Sequence, residues 1–207
     1  MNLDEKTLKS EYVYDGRVVK LYKDTVLLQN GKEASREVIK HPGGVCVVPL
    51  TEKNEVIFVT QHRYPYHKVL MEIPAGKLEW GEDHFECGKR ELKEETGCIA
   101  GKYDYLGCLY PTPAYCTEII HMYLARDLSQ HEQSLDEDEF LELEKIPLDK
   151  AVEMVMNNEI PDAKTQLALL KAKKNTEESL QEAIVLVRKV SGWKNADDLV
   201  FEFKNKI

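Results

Sequence analysis

Residues 76–98, GKLEWGEDHFECGKRELKEETGC, constrain this chain more than any other segment, because their order of residues defines one short helix. Asp83 can cap the start of that helix, and Glu86 follows it at the spacing of a capping box. Gly97 lies where a helix prefers to end, since glycine readily adopts the left-handed backbone of a C-cap. Small and apolar residues recur between the caps on one face that can pack against a core: Phe85, Gly88 and Leu92.

Three glutamates share another face of this helix: Glu91, Glu94 and Glu95. Crowded carboxylates repel one another, whereas Mg²⁺ binds one or two carboxylates together with water and substrate phosphates. The pattern therefore fits a Mg²⁺ site for phosphate chemistry. These three residues alone leave open a solvated acidic face whose repulsion is relieved by Lys89 and Lys93.

The complete spacing of the segment favours the metal site. The fixed positions are Gly76, five residues, Glu82, seven residues, Arg90-Glu91-Leu92, one residue, Glu94-Glu95, one residue, Gly97 and an aliphatic residue. This pattern resembles the Nudix box at every fixed position except the last, where Cys98 replaces Ile, Leu or Val. A buried cysteine behaves as a small hydrophobe, so the change is conservative. The resemblance implies an α/β fold, an α+β sandwich in which a mixed sheet lies between helices.

The whole chain has 207 residues, which suits one domain or one domain with an appendage. Its net charge of −9 disfavours a broad basic surface, so we expect no nucleic-acid partner. The five cysteines form no CxxC pair, and their odd number argues against a secreted disulfide framework. No apolar run approaches the length of a membrane span, so we expect no membrane partner and a cytoplasmic location.

Three regions follow one another along the chain. Residues 1–42 are expected to form an antiparallel sheet after an irregular start at 1–10, with a hairpin at Asn30-Gly31. Residues 43–173 contain the remaining strands, the glutamate-rich helix and two amphipathic helices at 148–156 and 162–173. Within them, residues 127–138 lack periodicity and are expected to form a surface loop. Residues 174–207 are expected to form a helical tail that packs on the body or on a partner subunit.

The surroundings of the box resemble the ADP-ribose pyrophosphatase branch of the Nudix family. The resemblance runs from residue 12 to residue 173 and includes QHRYP at 61–65, EIPAGKLE at 72–79 and DEDEF at 136–140. It departs at Thr112-Pro113-Ala114, where that branch more often shows Ser-Pro-Gly. In that branch the N-terminal sheet builds a swapped homodimer, and each N-terminal segment helps form the other subunit's substrate site.

The resemblance implies a role for each matching residue. The metal shell would contain the Ala75 carbonyl, Glu91 and Glu95, with Glu82 and Glu139 supporting or joining it. Catalysis would involve Glu137 as general base, Arg90 orienting the glutamates, and Glu94 beside them. Substrate contacts would come from Arg63, Arg36 and Pro113. Simpler interpretations stay open: a surface ion pair for Arg63, an exposed strand arginine for Arg36, and a solvated acidic loop for residues 136–139.

The activity implied by the resemblance is hydrolysis of ADP-ribose to AMP and ribose 5-phosphate, with Mg²⁺ as cofactor and Mn²⁺ as a substitute. The expected partners are a nucleotide sugar and a second copy of the chain. The alternatives are a hydrolase of other nucleoside diphosphate sugars such as GDP-mannose, and a sensor that holds ADP-ribose without cleaving it. Every carboxylate of the box is present, which speaks against the sensor.

Overall fold

The structure is a computed structural model that describes residues 3–135 and 140–191, with side chains described as far as residue 181. The described strands are β1 Lys6–Asp15, β2 Lys20–Leu27, β3 Glu33–Lys40, β4 Gly44–Pro49, β5 Glu55–Arg63, β6 Lys68–Glu72, β7 Ala75–Lys77, β8 Cys98–Leu109, β9 Ile120–Gln130 and β10 Glu142–Pro147. The described α-helices are α1 His84–Thr96, α2 Leu148–Met156 and α3 Ala163–Ser191.

The N-terminal strands β1, β2 and β3 form a separate antiparallel sheet, as the sequence predicted. Its predicted hairpin is present, because Gly31 has a φ of 78° and the Asn30 side chain accepts a hydrogen bond from the Lys32 amide. The predicted irregular start at 1–10 is wrong from Lys6 onward, where β1 begins with Lys6 paired to Leu27 of β2. Backbone pairing, rather than side-chain hydrophobicity, orders this polar strand, and all ten of its residues are exposed.

The body of the chain is built on a mixed four-stranded sheet in the order β7-β4-β9-β8, in which β4 and β9 are parallel. Alternate side chains of β4 point to opposite faces. Val45 and Val47 pack on the side of α1, whereas Cys46 and Val48 pack on the side of α2 and α3. A second, antiparallel sheet in the order β10-β5-β6 completes the body. The α/β class and the sheet between helices are therefore confirmed.

Two elements extend beyond their predicted ends. β9 continues to Gln130, inside the predicted loop at 127–138, because Gln130 pairs with Cys98 of β8. The predicted helix at 162–173 continues without interruption to Ser191 in α3. The boundary at residue 174 stays a prediction, and the end of the tail, residues 192–207, lies outside the described residues.

Candidate active site

Helix α1 has the capping residues that its sequence predicted. The Asp83 carboxylate accepts hydrogen bonds from the amides of Phe85 at 2.9 Å and Glu86 at 3.1 Å. Gly97 ends the helix with a φ of 70°, and its amide donates to the Lys93 carbonyl. These caps satisfy backbone groups that a helix end otherwise leaves without partners, so both ends of α1 are fixed.

One face of α1 packs tightly on the central sheet. Leu92 is fully buried in the core cluster that contains Val45 and Val47. Gly88 lies so close to β4 that an added Cβ would come within 3.1 Å of a Val45 methyl carbon. The close approach holds the glutamate face of α1 against β7, the strand that begins at Ala75.

Glu95 is a buried acidic residue with only 3% of its surface exposed. Its Oε2 accepts a hydrogen bond of 3.0 Å from the Ala75 amide. Ala75 in turn pairs with Cys46 of β4, so the carboxylate contacts a backbone that the sheet holds rigid. Burying a carboxylate is costly without hydrogen bonds or cations. The burial of Glu95 therefore points to a functional role more strongly than an exposed glutamate would.

Glu91 lies one helical turn earlier and faces the same backbone. An added Cβ on Gly76 would come within 1.9 Å of the Glu91 carboxyl carbon, so the space over Gly76 is filled by this carboxylate. The Glu91 side chain keeps 12% of its surface exposed. The glycine that opens the box is therefore required by a side chain that lies 15 residues further along the printed sequence.

Arg90 forms ion pairs with three glutamates of the box. Its Nη1 lies 2.8 Å from Glu91 Oε1 and 2.9 Å from Glu94 Oε2, and its Nε lies 3.3 Å from Glu82 Oε1. Although burial acts to lower it, the pKa of Arg90 is raised by the hydrogen bond with Glu82 and the charge of Glu91. Burial raises the pKa of the neighbouring Cys87 thiol to about 12, so that thiol is neutral at pH 7. The negative charges that neutralise Arg90 are therefore those of the glutamates.

The donor chemistry of this site fits a hard divalent cation. Glu91 and Glu95 bring two carboxylates to the backbone of residues 75–76, and such oxygens are what Mg²⁺ binds. Among the described residues, no three His, Cys, Asp or Glu side chains form a ready cation-binding group. The expected set of metal ligands is not such a group of three side chains, because it also contains the Ala75 carbonyl and Glu139.

The acidic segment at residues 136–139, which contains Glu137 and Glu139, lies outside the described residues. The chain just before it runs along the end of α1. The His131 amide donates to the Gly97 carbonyl at 2.7 Å, and the Ser134 amide donates to the Glu94 carbonyl at 3.1 Å. The last described residues before the segment are therefore held at the helix end that carries Glu95.

Arg63 forms an ion pair, as one interpretation of the sequence expected, but the pair is partly buried. Its Nε and Nη2 donate to the two oxygens of Glu72 at 2.7 and 2.6 Å. Lys164 of α3 also donates to Glu72. Glu72 and Lys164 were missed as functional candidates, since the two residues are 92 positions apart and no periodicity links them. A charged residue directly after the apolar run at 69–71 was the available signal for Glu72.

Arg36 and Pro113 lie apart from the helix that carries the glutamates. Arg36 is on β3, where it forms a two-pronged ion pair with Glu5 at 2.5 and 2.9 Å. Pro113 is exposed in a turn in which the Thr112 carbonyl accepts hydrogen bonds from Tyr115 and Cys116. Neither has a described contact with α1, so their predicted substrate roles stay predictions.

Residues 40–169 match the family described as NUDIX domain. The chain belongs to the Nudix family. Residues 5–39 match the family described as nucleoside diphosphate sugar hydrolase N-terminal domain. The Nudix match therefore covers the two-sheet body and α1, and the second match covers the N-terminal sheet. The resemblance inferred from the box is confirmed.

Two relatives of this Nudix protein share most of its length. A methanol dehydrogenase activator from Bacillus methanolicus is 44% identical over 168 residues, which cover 80% of this chain and 91% of the relative. An ADP-ribose pyrophosphatase from Bacillus subtilis (strain 168) is 42% identical over 170 residues, which cover 81% of this chain and 92% of the relative. Among solved structures, the crystal structure of an ADP compounds hydrolase superposes with a TM-score of 0.77. It covers 86% of this chain and 98% of that chain, and its 22% identity shows a common fold alone.

Proposed function

We propose that this Nudix protein hydrolyses the pyrophosphate bond of ADP-ribose to give AMP and ribose 5-phosphate. The observation that carries the proposal is its 42% identity to an ADP-ribose pyrophosphatase over 81% of the chain. The matched length exceeds the Nudix domain alone, whose match covers residues 40–169. The proposal is also supported by the capped helix α1, by the ion pairs of Arg90 with three glutamates, and by the buried carboxylate of Glu95.

Mg²⁺ is the proposed cofactor, with Mn²⁺ as a substitute. Glu91, Glu95 and the Ala75 carbonyl would hold it, supported by Glu82 and Glu139. When bound, such an ion neutralises phosphate charge and lowers the pKa of an attacking water. Ion pairs with Arg90 hold the carboxylates of its three glutamate partners in place, so the chain presents a fixed group of carboxylate oxygens.

The remaining chemistry belongs to the acidic segment and to Arg63. Glu137 would accept a proton from the attacking water as a new P–O bond forms. The P–O bond to the bridging oxygen then breaks, and the leaving phosphate carries the negative charge. Arg63, whose side chain is 38% exposed, would stabilise that charge. Glu94 would assist from its place beside Arg90.

A panel of nucleotide sugars tests this proposal. ADP-ribose, GDP-mannose and UDP-glucose are supplied at one concentration with Mg²⁺ or Mn²⁺, and the nucleoside monophosphate products are quantified by chromatography. We expect the highest kcat/KM for ADP-ribose. A higher value for GDP-mannose would assign the protein to other nucleoside diphosphate sugars, and binding of ADP-ribose without AMP release would make it a sensor.

A second candidate function is activation of a methanol dehydrogenase, because the Bacillus methanolicus relative is 44% identical and named for that activity. The test is to add this protein to a purified methanol dehydrogenase and to measure the rate of alcohol oxidation. An increase in rate would support the function. The same measurement with Glu95→Gln shows whether activation depends on the hydrolytic site, and an unchanged rate with both proteins would exclude activation of that enzyme.

The proposed assembly is a homodimer formed through the N-terminal sheet, with Arg36 and the Pro113 loop at the shared substrate site. A three-stranded sheet needs a covered apolar face for stability, yet every residue of β1 is exposed. Apolar and aromatic side chains of β1 are among those exposed: Leu8, Tyr12, Val13 and Tyr14. A second copy of the chain would cover them.

Sedimentation measures the assembly directly. We expect the wild-type protein to have twice its chain mass of 23.8 kDa. Val13→Asp places a charge where the side chain is 57% exposed, so it should give a monomer with a folded body. Lys9→Asp is the matched control, because Lys9 lies on the same strand and its described ion pair is with the exposed Glu11. A monomeric wild-type protein would contradict the dimer.

We also propose a cytoplasmic location without a nucleic-acid partner. All five cysteines are unpaired, which suits a compartment that keeps thiols reduced. Among the described residues, no helix combines the length and hydrophobicity that crossing a bilayer requires. Fractionation of expressing cells checks the location, and recovery from the medium or the membrane pellet would contradict it.

A further inference from the structure

A cluster of charged side chains around the buried Glu72 joins β5 and β6 to the start of α3. We define the Glu72 cluster as Arg63, Glu72, Asp162, Lys164 and Thr165. Glu72 lies at its centre with 1% of its surface exposed. Burying the Glu72 carboxylate is costly, because this charge loses its hydration and regains only what its partners supply.

The Glu72 carboxylate is shared between two cations. Arg63 binds both of its oxygens through Nε and Nη2, at 2.7 and 2.6 Å. Lys164 donates to Glu72 Oε2 and, at 3.0 Å, to Asp162 Oδ2. The cluster therefore contains two positive and two negative side chains, and Lys164 is the only one of its residues that contacts both carboxylates.

The cluster also fixes the segment that leads to the box. Asp162 Oδ2 accepts hydrogen bonds from the amide of Thr165 at 3.0 Å and from its hydroxyl at 2.6 Å. The Thr165 hydroxyl oxygen in turn accepts a hydrogen bond from the Ile73 amide at 3.1 Å. Ile73 is two residues before Ala75, so α3 and the candidate metal site are joined by a short chain of hydrogen bonds.

The pKa values of Arg63 and Glu72 are both shifted by the charges around them. Its hydrogen bond with Glu72 raises the pKa of Arg63, and the charges of Asp162 and Glu95 add to the rise. Burial acts to raise the pKa of Glu72, but Arg63 and Lys164 outweigh burial and hold that pKa below its ordinary value. Burial acts to lower the pKa of Lys164, but the charges of Asp162 and Glu72 outweigh burial and raise it, so Arg63, Glu72 and Lys164 are ionised at neutral pH.

Two edges of the Arg63 guanidinium have different roles. The Nε and Nη2 edge is engaged by Glu72, whereas Nη1 takes no part in that pair and the side chain keeps 38% exposure. A guanidinium anchored on one edge can present the other edge to a phosphate in a fixed orientation. How well it does so depends on the carboxylate that anchors it, and Lys164 shares that carboxylate.

We propose that Lys164 is a positioning residue, which shares the Glu72 carboxylate with Arg63 and thereby holds the outer edge of Arg63 towards the substrate diphosphate. The inference rests on the proposed function for its substrate. Without Lys164, Asp162 loses the ammonium group that it shares with Glu72. Arg63 is then the only cation of the cluster that contacts Glu72, so the Arg63–Glu72 ion pair can turn towards the protein interior.

Steady-state kinetics with ADP-ribose tests the role of Lys164. For Lys164→Met we expect KM to rise about tenfold, the effect of weakening one charge-assisted contact, while kcat changes less than about twofold. Lys164→Arg keeps the charge and should restore most of the affinity. Lys173→Met is the matched control, since Lys173 lies on the same helix and pairs with Asp149 and Glu177 at the surface. A loss in kcat alone, or no rescue by arginine, would overturn the proposal.

A double-mutant comparison separates positioning from a purely structural role. Arg63→Met removes the guanidinium that Lys164 is inferred to position. In that background, adding Lys164→Met should raise KM no further, because its effect passes through Arg63. Independent, additive increases would contradict the inference. If Lys164→Met melts below the assay temperature, Lys164→Gln takes its place, since it retains a hydrogen-bond donor without the charge.

Binding of ADP and AMP distinguishes failure of the inference from failure of the proposed function. ADP carries the diphosphate and AMP lacks it. We expect Lys164→Met to weaken ADP binding about tenfold in calorimetry and to leave AMP binding within about twofold. If the wild-type protein releases no AMP from ADP-ribose, the proposed function fails and this binding difference still decides the role of Lys164. Unchanged ADP affinity in the variant, or no ADP binding by the wild-type protein, overturns the inference.

Discussion

At the residue scale, Gly76 and Glu91 depend on each other. The Glu91 carboxylate occupies the space that a Cβ on Gly76 would fill, at 1.9 Å. The φ angle of Gly76 is not among the positive values in the chain, so the glycine is required by close approach and not by backbone conformation. The displaced group would be the flexible end of a side chain, which can move at small cost to the fold.

Gly76→Ala should therefore separate activity from stability. We expect kcat/KM for ADP-ribose to fall about a hundredfold, because the Glu91 carboxylate is displaced from the metal site by an ångström or more. The melting temperature should change by less than about 2 °C. Gly101→Ala is the matched control, since the atoms nearest to its added Cβ belong to Asp127 of β9 and not to a glutamate of the box. Full activity in Gly76→Ala would contradict a role for Glu91.

Residues with local partners were predictable from the sequence, and residues with distant partners were not. The caps Asp83 and Gly97, and the ion pairs of Arg90 with its glutamates, follow from spacing within one helix. The pairing of Glu72 with Lys164 depends on how α3 packs beside β6, which no local pattern encodes. The burial of Glu95 likewise follows from the docking of α1 on the sheet.

At the scale of elements, α1 is defined by its ends and by one packed face. Asp83 satisfies two amides at its N-terminus, and the acidic side chain also suits the positive end of the helix dipole. The first turn of α1 leads to Arg90 and Glu91, so fraying at this end would disturb the glutamates as well as the fold.

Asp83→Ala should lower the free energy of unfolding by about 1 kcal/mol, because two amides lose their acceptor. For a chain of this size that corresponds to a fall of about 3 °C in the melting temperature. Differential scanning calorimetry measures it. Asp83→Asn retains a capping oxygen and serves as the control, with a smaller expected loss. Equal melting temperatures for Asp83→Ala and the wild-type protein would show that the cap contributes nothing.

Strand segments that are held mainly by backbone hydrogen bonds to a neighbouring strand were the least predictable from the sequence. The start of β1 is polar and carries no strand signal, yet its backbone pairs with β2 from Lys6 onwards. β9 extends to Gln130 for the same reason, through its partner β8. In contrast, α2 has the predicted bounds, because its apolar periodicity is strong and local.

At the scale of the whole molecule, the Glu72 cluster connects β5 and β6 to α3 through ion pairs on a buried carboxylate. The ordinary pKa of a glutamate is 4.5, and the pKa of Glu72 in the folded protein lies below it. Above pH 4.5 the carboxylate is ionised in both states, and its favourable contacts stabilise the folded protein in full. As the pH falls below 4.5 towards the folded-state pKa, that contribution is lost.

Glu72→Gln should consequently destabilise the protein by about 3 kcal/mol at neutral pH, because Arg63 and Lys164 are left without their shared carboxylate. Thermal unfolding of both proteins over a pH series checks this. The difference in stability should shrink as the pH falls below 4.5. Glu86→Gln, which changes an exposed glutamate of α1, should show no such convergence. A constant difference across the series would contradict the depressed pKa of Glu72.

The release of AMP from ADP-ribose in the presence of Mg²⁺ tests the central claim most directly, measured for wild-type protein, Glu95→Gln and the exposed-site control Glu86→Gln. A glutamine at position 95 can still accept the Ala75 hydrogen bond, so the fold should persist while the buried negative charge is lost. We expect wild-type protein and Glu86→Gln to release AMP at similar rates, and Glu95→Gln to be slower by about a hundredfold or more. Undiminished release by Glu95→Gln would contradict the assignment of the metal site to α1.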